Sequence, residues 1–101
     1  MVRDAEDDLL DIYRYILKNQ SFDSAEKVYQ TIRTTCTDLG EMPFTGHVPP
    51  ELGRVGVLEY REVSCYPYRI ICRVVGERLF IYCILDGRRD LMDLLHRRLI
   101  R

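Results

Sequence analysis

Apolar side chains recur every three or four residues in two stretches of the N-terminal half, which predicts two consecutive helices. The first is predicted over residues 4–18, where acidic residues crowd the first turn and complement the helix dipole. The second is predicted to start near Asp23, with Asp23 and Glu26 at capping-box spacing, and to stop at Gly40. The short break between the two stretches indicates a helical hairpin.

Residues 41–56 predict a loop, because they hold three prolines and three glycines. The apolar side chains of this loop are expected to anchor it to the core. They are Met42, Phe44, Val48 and Leu52.

Three strand-like segments follow the loop. Residues 57–64 alternate between apolar and polar side chains, and residues 68–75 read YRIICRVV. Residues 79–85 are nearly all apolar, so this strand is expected to be buried on both faces. The turns at 65–67 and 76–77 are short, and the three strands are therefore predicted to form an antiparallel meander.

The last predicted element is a helix over residues 88–100, with leucines on one face and arginines on the other. The order α-α-β-β-β-α is typical of an α+β fold in which helices and sheet are segregated. A length of 101 residues suits a single domain, residues 1–101. The longest apolar run is too short to span a membrane and the N-terminus turns acidic within four residues, so a cytoplasmic protein without a signal peptide is expected.

Charge is distributed unevenly along the chain. Residues 1–51 hold five Lys/Arg and ten Asp/Glu, a net charge of −5, whereas residues 52–101 hold ten and six, a net charge of +4. A basic second half suits an acidic partner or nucleic acid; the alternative is that the two halves pack together and neutralise each other. Thirteen of the fifteen basic residues are arginine, whose planar fork suits carboxylates and phosphates.

The four cysteines, Cys36, Cys65, Cys72 and Cys83, show no C-x-x-C spacing. Cys36 falls on the apolar stripe of the second helix, and Cys72 and Cys83 fall inside strand-like runs. Reduced core thiols are therefore expected rather than disulfides or a metal site.

Five segments of the chain resemble the RelE/ParE superfamily of toxins, and they occur in the same order. They read AEDDLLDIYRYI, SAEKVYQTI, MPFTGHVPPEL, VLEYREV followed by YPYRIICRV, and ILDGRRDLMDLLHRRL. The resemblance covers residues 4–99, and the PYRI strand and the GRRD corner make it specific for the fold. It implies an α+β toxin of a bacterial type II toxin–antitoxin (plasmid stabilization) module, with an α-hairpin packed on a small antiparallel sheet and a C-terminal helix.

Members of this superfamily usually begin with a β-strand ahead of the first helix, and here only Met-Val-Arg precedes it. Three residues are too few for a strand of ordinary length. The sheet is then expected to keep an unprotected edge, which invites pairing with another chain. A homodimer or a partner strand at that edge is therefore predicted.

The resemblance implies one of two activities. RelE-like members cut mRNA on the ribosome without a metal, using basic and aromatic residues that stabilise the phosphoryl transition state and move protons. ParE-like members cut nothing themselves; they bind DNA gyrase and trap its cleaved DNA complex. In a ribonuclease, the phosphate-stabilising residues of this chain would be Arg61, Arg69 and Arg89.

The groups that would transfer protons are missing at the matching positions. Arg61 stands where cleaving members often have a lysine, Val63 matches a second lysine, and Leu95 lies where they carry a tyrosine. His96 is the one titratable candidate nearby, and it falls on an expected exposed helix face. General acid–base catalysis contributes on the order of 10²–10⁴-fold, so positive charge alone is expected to bind phosphates and cleave poorly. The ParE-like activity is favoured, with no catalytic residue, cofactor or metal.

The GRRD corner places two arginines where a strand gives way to a helix. One of Arg88 and Arg89 is expected to be structural, paired with an acidic neighbour. The other is expected to join a basic ridge that contacts the target or an acidic antitoxin segment, and the alternative is an ordinary solvated helix face. That arginine and Arg97, Arg98 and Arg101 form the ridge, so the candidate target-binding residues are Arg88, Arg89, Arg97, Arg98 and Arg101.

A cognate antitoxin is the second partner that the resemblance implies. In this superfamily its disordered C-terminal part folds over the hairpin and sheet of the toxin. Candidate docking residues are Tyr13, Leu17, Phe22, Tyr29 and Tyr60, although aromatic residues at helical spacing are also typical of a core. A third interpretation is an inactive toxin remnant that only binds a partner.

Overall fold

The computed structural model describes residues 1–99, with element order α-α-α-β-β-β-α. The helices are α1 (Arg3–Asn19), α2 (Phe22–Glu41), α3 (Pro50–Gly53) and α4 (Leu91–Leu99), and the strands are β1 (Tyr60–Cys65), β2 (Tyr68–Val75) and β3 (Arg78–Asp86). A helical hairpin, an antiparallel sheet and a C-terminal helix confirm the predicted α+β fold. None of the helices in this described part is long and apolar enough to cross a membrane.

The two long helices form the predicted hairpin, but both predicted signals for the ends of α2 are wrong. Ser21 caps the helix, because its hydroxyl accepts a hydrogen bond from the backbone N–H of Ser24 at 3.0 Å. Glu26 instead accepts a hydrogen bond from the hydroxyl of Tyr13 in α1 at 3.3 Å. Gly40 lies inside the helix, which continues to its last residue at position 41.

The strands form an antiparallel meander in the order β1-β2-β3, as predicted. The register between β2 and β3 shifts at Ile71/Cys72, which leaves Tyr82 opposite no residue. Such an irregularity moves the following side chains to the other face of a strand. β1 begins at Tyr60, three residues later than predicted, and the preceding Leu58 is exposed.

The sheet separates two apolar clusters. The first cluster packs against the hairpin and includes Ile81 and Ile84 of β3. The second packs against α3 and α4 and includes Cys83 and Leu85. The centre of β3 is therefore buried on both faces, as the apolar run predicted.

The loop after α2 contains the short helix α3, which the sequence analysis missed. Pro50 suits the first turn of a helix, where its missing N–H costs nothing. Leu52 is buried in the second cluster, as predicted, and Val48 is half-buried. Met42 and Phe44 are exposed, so the prediction that they anchor the loop is wrong.

The C-terminal helix begins at Leu91, three residues later than predicted. Asp90 defines this start, because its Oδ1 accepts a hydrogen bond from the backbone N–H of Met92 at 2.9 Å. Leu91 and Leu94 are buried in the second cluster. Residues 100 and 101 lie outside the described residues.

The four cysteines are free thiols, as predicted. Cys72 and Cys83 are buried, and Cys36 and Cys65 are half-buried. Burial raises the pKa of Cys36 to about 11 and that of Cys83 to about 12. These two thiols are therefore protonated and unreactive near neutral pH.

A largely buried ion pair fixes α4 to α1 and to the outer edge of β3. Asp8 accepts hydrogen bonds from the backbone N–H of Ile84 at 2.9 Å and from the guanidinium of Arg98. Arg98 also donates to the backbone oxygen of Tyr82 at 3.3 Å. The side chains of Asp8 and Arg98 are 11% and 18% exposed. Burial raises the pKa of Asp8, although its hydrogen bonds oppose this shift. The intact pair therefore adds little to the free energy of unfolding, whereas removal of one partner would leave an unpaired charge and lower that free energy strongly.

The outer edge of β3 is also contacted by the N-terminus, where the backbone N–H of Val2 donates to the oxygen of Ile81 at 3.0 Å. Together with the bonds of Asp8 and Arg98, this contact satisfies several outward backbone groups of the strand. An additional strand would have to pair with the part of β3 that precedes Ile81. The predicted homodimer or partner strand stays a prediction.

Replacing Asp8 by Ala is expected to lower the free energy of unfolding by about 3 kcal/mol, because a largely buried guanidinium loses its carboxylate. The amide of Ile84 is expected to exchange faster with solvent, since it loses its acceptor. Urea unfolding and amide hydrogen exchange measure the two effects. The matched control is Asp7→Ala, at an exposed position of the same helix. Equal unfolding midpoints for the two variants would contradict the prediction.

Candidate functional site

Two clefts meet at the corner between β3 and α4, and three of the arginines that the sequence singled out line them. The first cleft, about 470 Å³, lies between α1 and the end of β3 and is lined by Arg88 and Arg89. The second cleft, about 860 Å³, lies between α3, the β1–β2 turn and the corner, and it is lined by Arg69 and Arg88. We name them the α1 cleft and the α3 cleft.

Arg69 is held by two carboxylates in the α3 cleft. Its Nη1 and Nη2 donate to the two oxygens of Glu51 at 2.7 and 2.8 Å, and Nη2 also donates to Glu62 Oε1 at 2.5 Å. The side chains of Arg69, Glu51 and Glu62 are 13%, 19% and 11% exposed. Both Nη atoms, which would bind a phosphate in a two-pronged contact, are therefore already bonded to carboxylates.

The loop before α3 delivers Glu51 to this position. The backbone groups of His47 and Glu62 form a two-way bridge, with N–H to oxygen distances of 3.1 and 2.6 Å, which fixes the loop against β1. Gly46 permits the approach, because its φ is +99° and a Cβ there would lie 2.4 Å from the oxygen of Glu62. The buried Pro49 then leads into α3, which presents Glu51 to β2.

The electrostatics of the α3 cleft favour an ionised Glu51. Hydrogen bonds from Arg69 lower the pKa of Glu51 to about 2, although burial opposes this shift. The backbone of Leu91, the first residue of α4, lowers the pKa further. The same pairing raises the pKa of Arg69, with Glu51 as the largest cause and Glu62 as the second.

Arg61 does not join Arg69, because the two side chains lie on opposite faces of the sheet. Arg61 is paired with Cys72, which faces the hairpin, whereas Arg69 is paired with Ser64, which lines the α3 cleft. Residues directly opposite each other in neighbouring strands share a face. Arg89 lines the α1 cleft instead. The three arginines that a ribonuclease would use are therefore not assembled at one point.

The positions at which a ribonuclease would transfer protons are structural here. Val63 packs against the first cluster and Leu95 against the second. His96 is exposed on α4, as expected.

Two tyrosines that the sequence analysis did not single out line the α3 cleft. Tyr66 is exposed in the β1–β2 turn, and Tyr68 begins β2. Burial, with a smaller contribution from Asp86, raises the pKa of Tyr68, so its hydroxyl is protonated at neutral pH and is a poor base. The YPYR motif, which places a tyrosine on each side of a turn proline, was the signal available in the sequence.

Arg88 is the structural arginine that the sequence predicted at the corner. It donates to Asp86 through Nε and Nη2, both at 3.1 Å, and through its backbone N–H at 2.8 Å. Its side chain is 92% exposed, so solvent screens the pair and it contributes little to stability. The neighbouring Arg89 is exposed, and its guanidinium forms no hydrogen bond or ion pair within residues 1–99.

The predicted basic ridge is only partly present on the surface. Arg97 is exposed and forms a pair with Asp93 at 2.6 Å, whereas Arg98 turns inward to Asp8. Arg101 lies outside the described residues. Arg54, which the sequence analysis did not select, is exposed at the rim of the α3 cleft.

The candidate antitoxin-binding residues lie in three different places. Leu17 and Phe22 are 43% and 59% exposed at the turn of the hairpin. Tyr13 and Tyr29 pack edge-to-face between α1 and α2, with ring centroids 5.8 Å apart. Tyr60 lies on the α3 side of the sheet. Its ring centroid is 5.6 Å from that of Tyr82, and the guanidinium of Arg73 lies over the ring at 5.7 Å from its centroid.

Comparisons with known proteins place the chain in a family. A sequence profile described as "ParE toxin of type II toxin-antitoxin system, parDE" matches residues 2–91. The chain belongs to the ParE toxin family. A solved structure titled "Chromosomal ParDE TA system from P. aeruginosa" has the same fold, with a TM-score of 0.68 and 24% identity over 84% of this chain and 89% of that chain. No curated protein matches the chain.

Membership of the ParE family makes the chain a toxin of the type II toxin–antitoxin class. The matched region includes the hairpin, the sheet, the α3 cleft and the corner. It ends at Leu91, so the arginines on α4 lie beyond it.

Replacing Glu51 by Gln is expected to lower the free energy of unfolding by about 2 kcal/mol at pH 7, because hydrogen bonds between charged partners contribute about that much. The folded-state pKa of about 2 lies below the ordinary value of 4.5, so this contribution is present above pH 4.5 and is lost as the pH falls towards 2. Chemical unfolding over a series of pH values measures the difference.

Glu59→Gln is the control for this prediction, because Glu59 is exposed and the substitution removes the same charge. It is expected to leave the free energy of unfolding nearly unchanged at each pH. If Glu51→Gln lowers the free energy of unfolding by the same amount near pH 2 as at pH 7, the ion pair is not the cause of the loss.

Proposed function

We propose that this ParE-family toxin acts by binding DNA gyrase and trapping its cleaved DNA complex, and that a cognate antitoxin neutralises it. The observation that carries the proposal is the engagement of Arg69 by Glu51 and Glu62. A guanidinium that is already neutralised adds little to the stabilisation of a phosphoryl transition state. The α3 cleft therefore supports binding better than cleavage.

The acid–base chemistry of the α3 cleft supports the same conclusion. Glu51 is a weak base because its pKa is about 2, and its negative charge repels a phosphodiester. Tyr68 keeps its proton at neutral pH, as its pKa is raised. Arg61 lies on the opposite face of the sheet and therefore cannot act on the same phosphate as Arg69.

The surface available for a target consists of exposed arginines around the corner and on α4. Arg89 forms no hydrogen bond or ion pair within the described residues, and Arg88 and Arg97 form only exposed pairs that a ligand can replace at low cost. Arg54 extends this surface across the α3 cleft. Arg98 contributes indirectly, because its pair with Asp8 orients the helix that carries Arg97.

The antitoxin is proposed to cover the turn of the hairpin, where Leu17 and Phe22 expose apolar surface. Tyr13 and Tyr29 are packed against each other and support that surface from within the hairpin. Tyr60 would form a separate contact on the α3 side of the sheet, so an antitoxin that reaches both places must wrap around the toxin.

The purified toxin is expected to inhibit DNA supercoiling by gyrase and to accumulate cleaved DNA, and its expression is expected to cause filamentation and a DNA-damage response. Arg89→Ala is expected to weaken inhibition about tenfold, the effect of losing one interface arginine. Arg14→Ala, an exposed arginine of α1, is the control. Rapid loss of translation with cut transcripts would identify a ribonuclease, and the absence of toxicity would identify an inactive remnant.

Phe22→Ala is expected to weaken antitoxin binding by at least about tenfold, because the toxin loses an exposed aromatic anchor. Calorimetric titration with the protein encoded beside the toxin gene measures the affinity. Phe44→Ala is the matched control, since it truncates an exposed phenylalanine that lies beyond the other end of α2. Equal affinities for the two variants would rule out the hairpin turn as the docking site.

A further inference from the structure

We infer that Glu51 is a specificity-determining residue: it occupies an anion site formed by Arg69 and the start of α4, and so excludes RNA phosphates from the α3 cleft. The inference rests on the proposed function, because it explains how a toxin of this fold avoids RNA while keeping a largely buried arginine in an open cleft. The ligand class that the site would accept without Glu51 is a phosphodiester.

The first support is the geometry of the guanidinium fork. Each oxygen of Glu51 accepts from a different Nη atom of Arg69, at 2.7 and 2.8 Å. The same two-pronged arrangement is the one by which arginine binds phosphate. The carboxylate of Glu51 therefore stands where two phosphate oxygens would stand.

The second support is independent of Arg69 and comes from α4. Leu91 is the first residue of a nine-residue helix, and its backbone N–H lowers the pKa of Glu51 as the smallest of the causes that act on this carboxylate. The exposed amides and the dipole at the start of a helix favour an anion, and phosphates commonly bind there. Two kinds of anion-binding group thus converge on one carboxylate.

The third support is access from solvent. The α3 cleft is about 860 Å³ and is lined by both Glu51 and Arg69. Arg54 and Arg88 are exposed at its rim, and Tyr66 offers an exposed ring beside it. These groups suit the backbone and bases of a single strand. An RNA strand could reach Arg69 if the carboxylate were absent.

Glu51 is not needed to hold Arg69 in place, which separates its role from a purely structural one. Glu62 lies on the neighbouring strand and accepts a hydrogen bond from Arg69 Nη2 at 2.5 Å. Without Glu51, this bond would keep the guanidinium in the cleft while Nη1 lost its partner. Binding without cleavage is expected in that case, because no proton-transfer group accompanies Arg69.

The test measures the affinity of the purified toxin for a fluorescein-labelled, twelve-nucleotide single-stranded RNA by fluorescence anisotropy at low salt. Glu51→Gln is expected to bind at least about tenfold more tightly than the natural chain, a gain equal to about 1.4 kcal/mol. Glu59→Gln removes the same charge from an exposed position and is expected to change affinity less than about twofold. Glu51→Asp keeps the charge and is expected to gain nothing.

The double variant Glu51→Gln/Arg69→Gln assigns any gain to the proposed site. It is expected to return to the affinity of the natural chain. A gain that survives in the double variant, or that Glu59→Gln reproduces, would overturn the inference, because it would reflect net charge alone. If Glu51→Gln fails to fold by circular dichroism, Glu51→Ala takes its place, and an unchanged affinity in a folded variant also overturns the inference.

The outcome is distinguishable from failure of the proposed function. If the natural chain does not inhibit gyrase but Glu51→Gln still gains affinity for RNA, gyrase is ruled out as the target and the inferred role of Glu51 stands. Cleavage of ribosome-bound message by the natural chain would overturn both, because phosphates would then reach the cleft with Glu51 in place.

Discussion

The contact of Arg69 with Glu51 and Glu62 is the interaction on which the arrangement around the corner depends. It joins β2 to β1 and to α3, and the backbone of α4 approaches the same carboxylate. The loop bridge between His47 and Glu62 places α3 correctly, and the second apolar cluster then packs α3 against α4. A short helix with four residues would not be stable alone, so its position follows from these tertiary contacts.

This constraint also limits the chemistry of the toxin. A guanidinium cannot be fully neutralised by carboxylates and at the same time stabilise charge that develops on a phosphate. The cations that remain available are on the surface, where Arg89 has no partner within residues 1–99 and Arg88 and Arg97 have exposed ones. A ParE-family protein with this distribution of charge is suited to hold a partner.

Periodic patterns predicted most of the fold, and contacts between distant residues account for most of what they missed. The hairpin, the meander and the final helix follow from local spacing, which is why they were predictable. Glu51 lies 18 residues from its partner Arg69, and Asp8 lies 90 residues from its partner Arg98, so no local pattern in the sequence indicates either pair. The opposite faces of Arg61 and Arg69 depend on the register of the β1–β2 hairpin, because a slip of one residue would bring the two side chains to the same face.

The uneven charge of the sequence has a structural explanation. Asp8 and Glu51 belong to the acidic first half, and their partners Arg98 and Arg69 belong to the basic second half. These two largely buried cations thus balance carboxylates from the other half, which agrees with mutual neutralisation rather than with a broad nucleic-acid surface. Burial makes these pairs sensitive to the loss of either partner, whereas the exposed arginines are replaceable one at a time. The count of arginines in the sequence therefore overstates the basic surface, because only the cations outside these pairs are available to a partner.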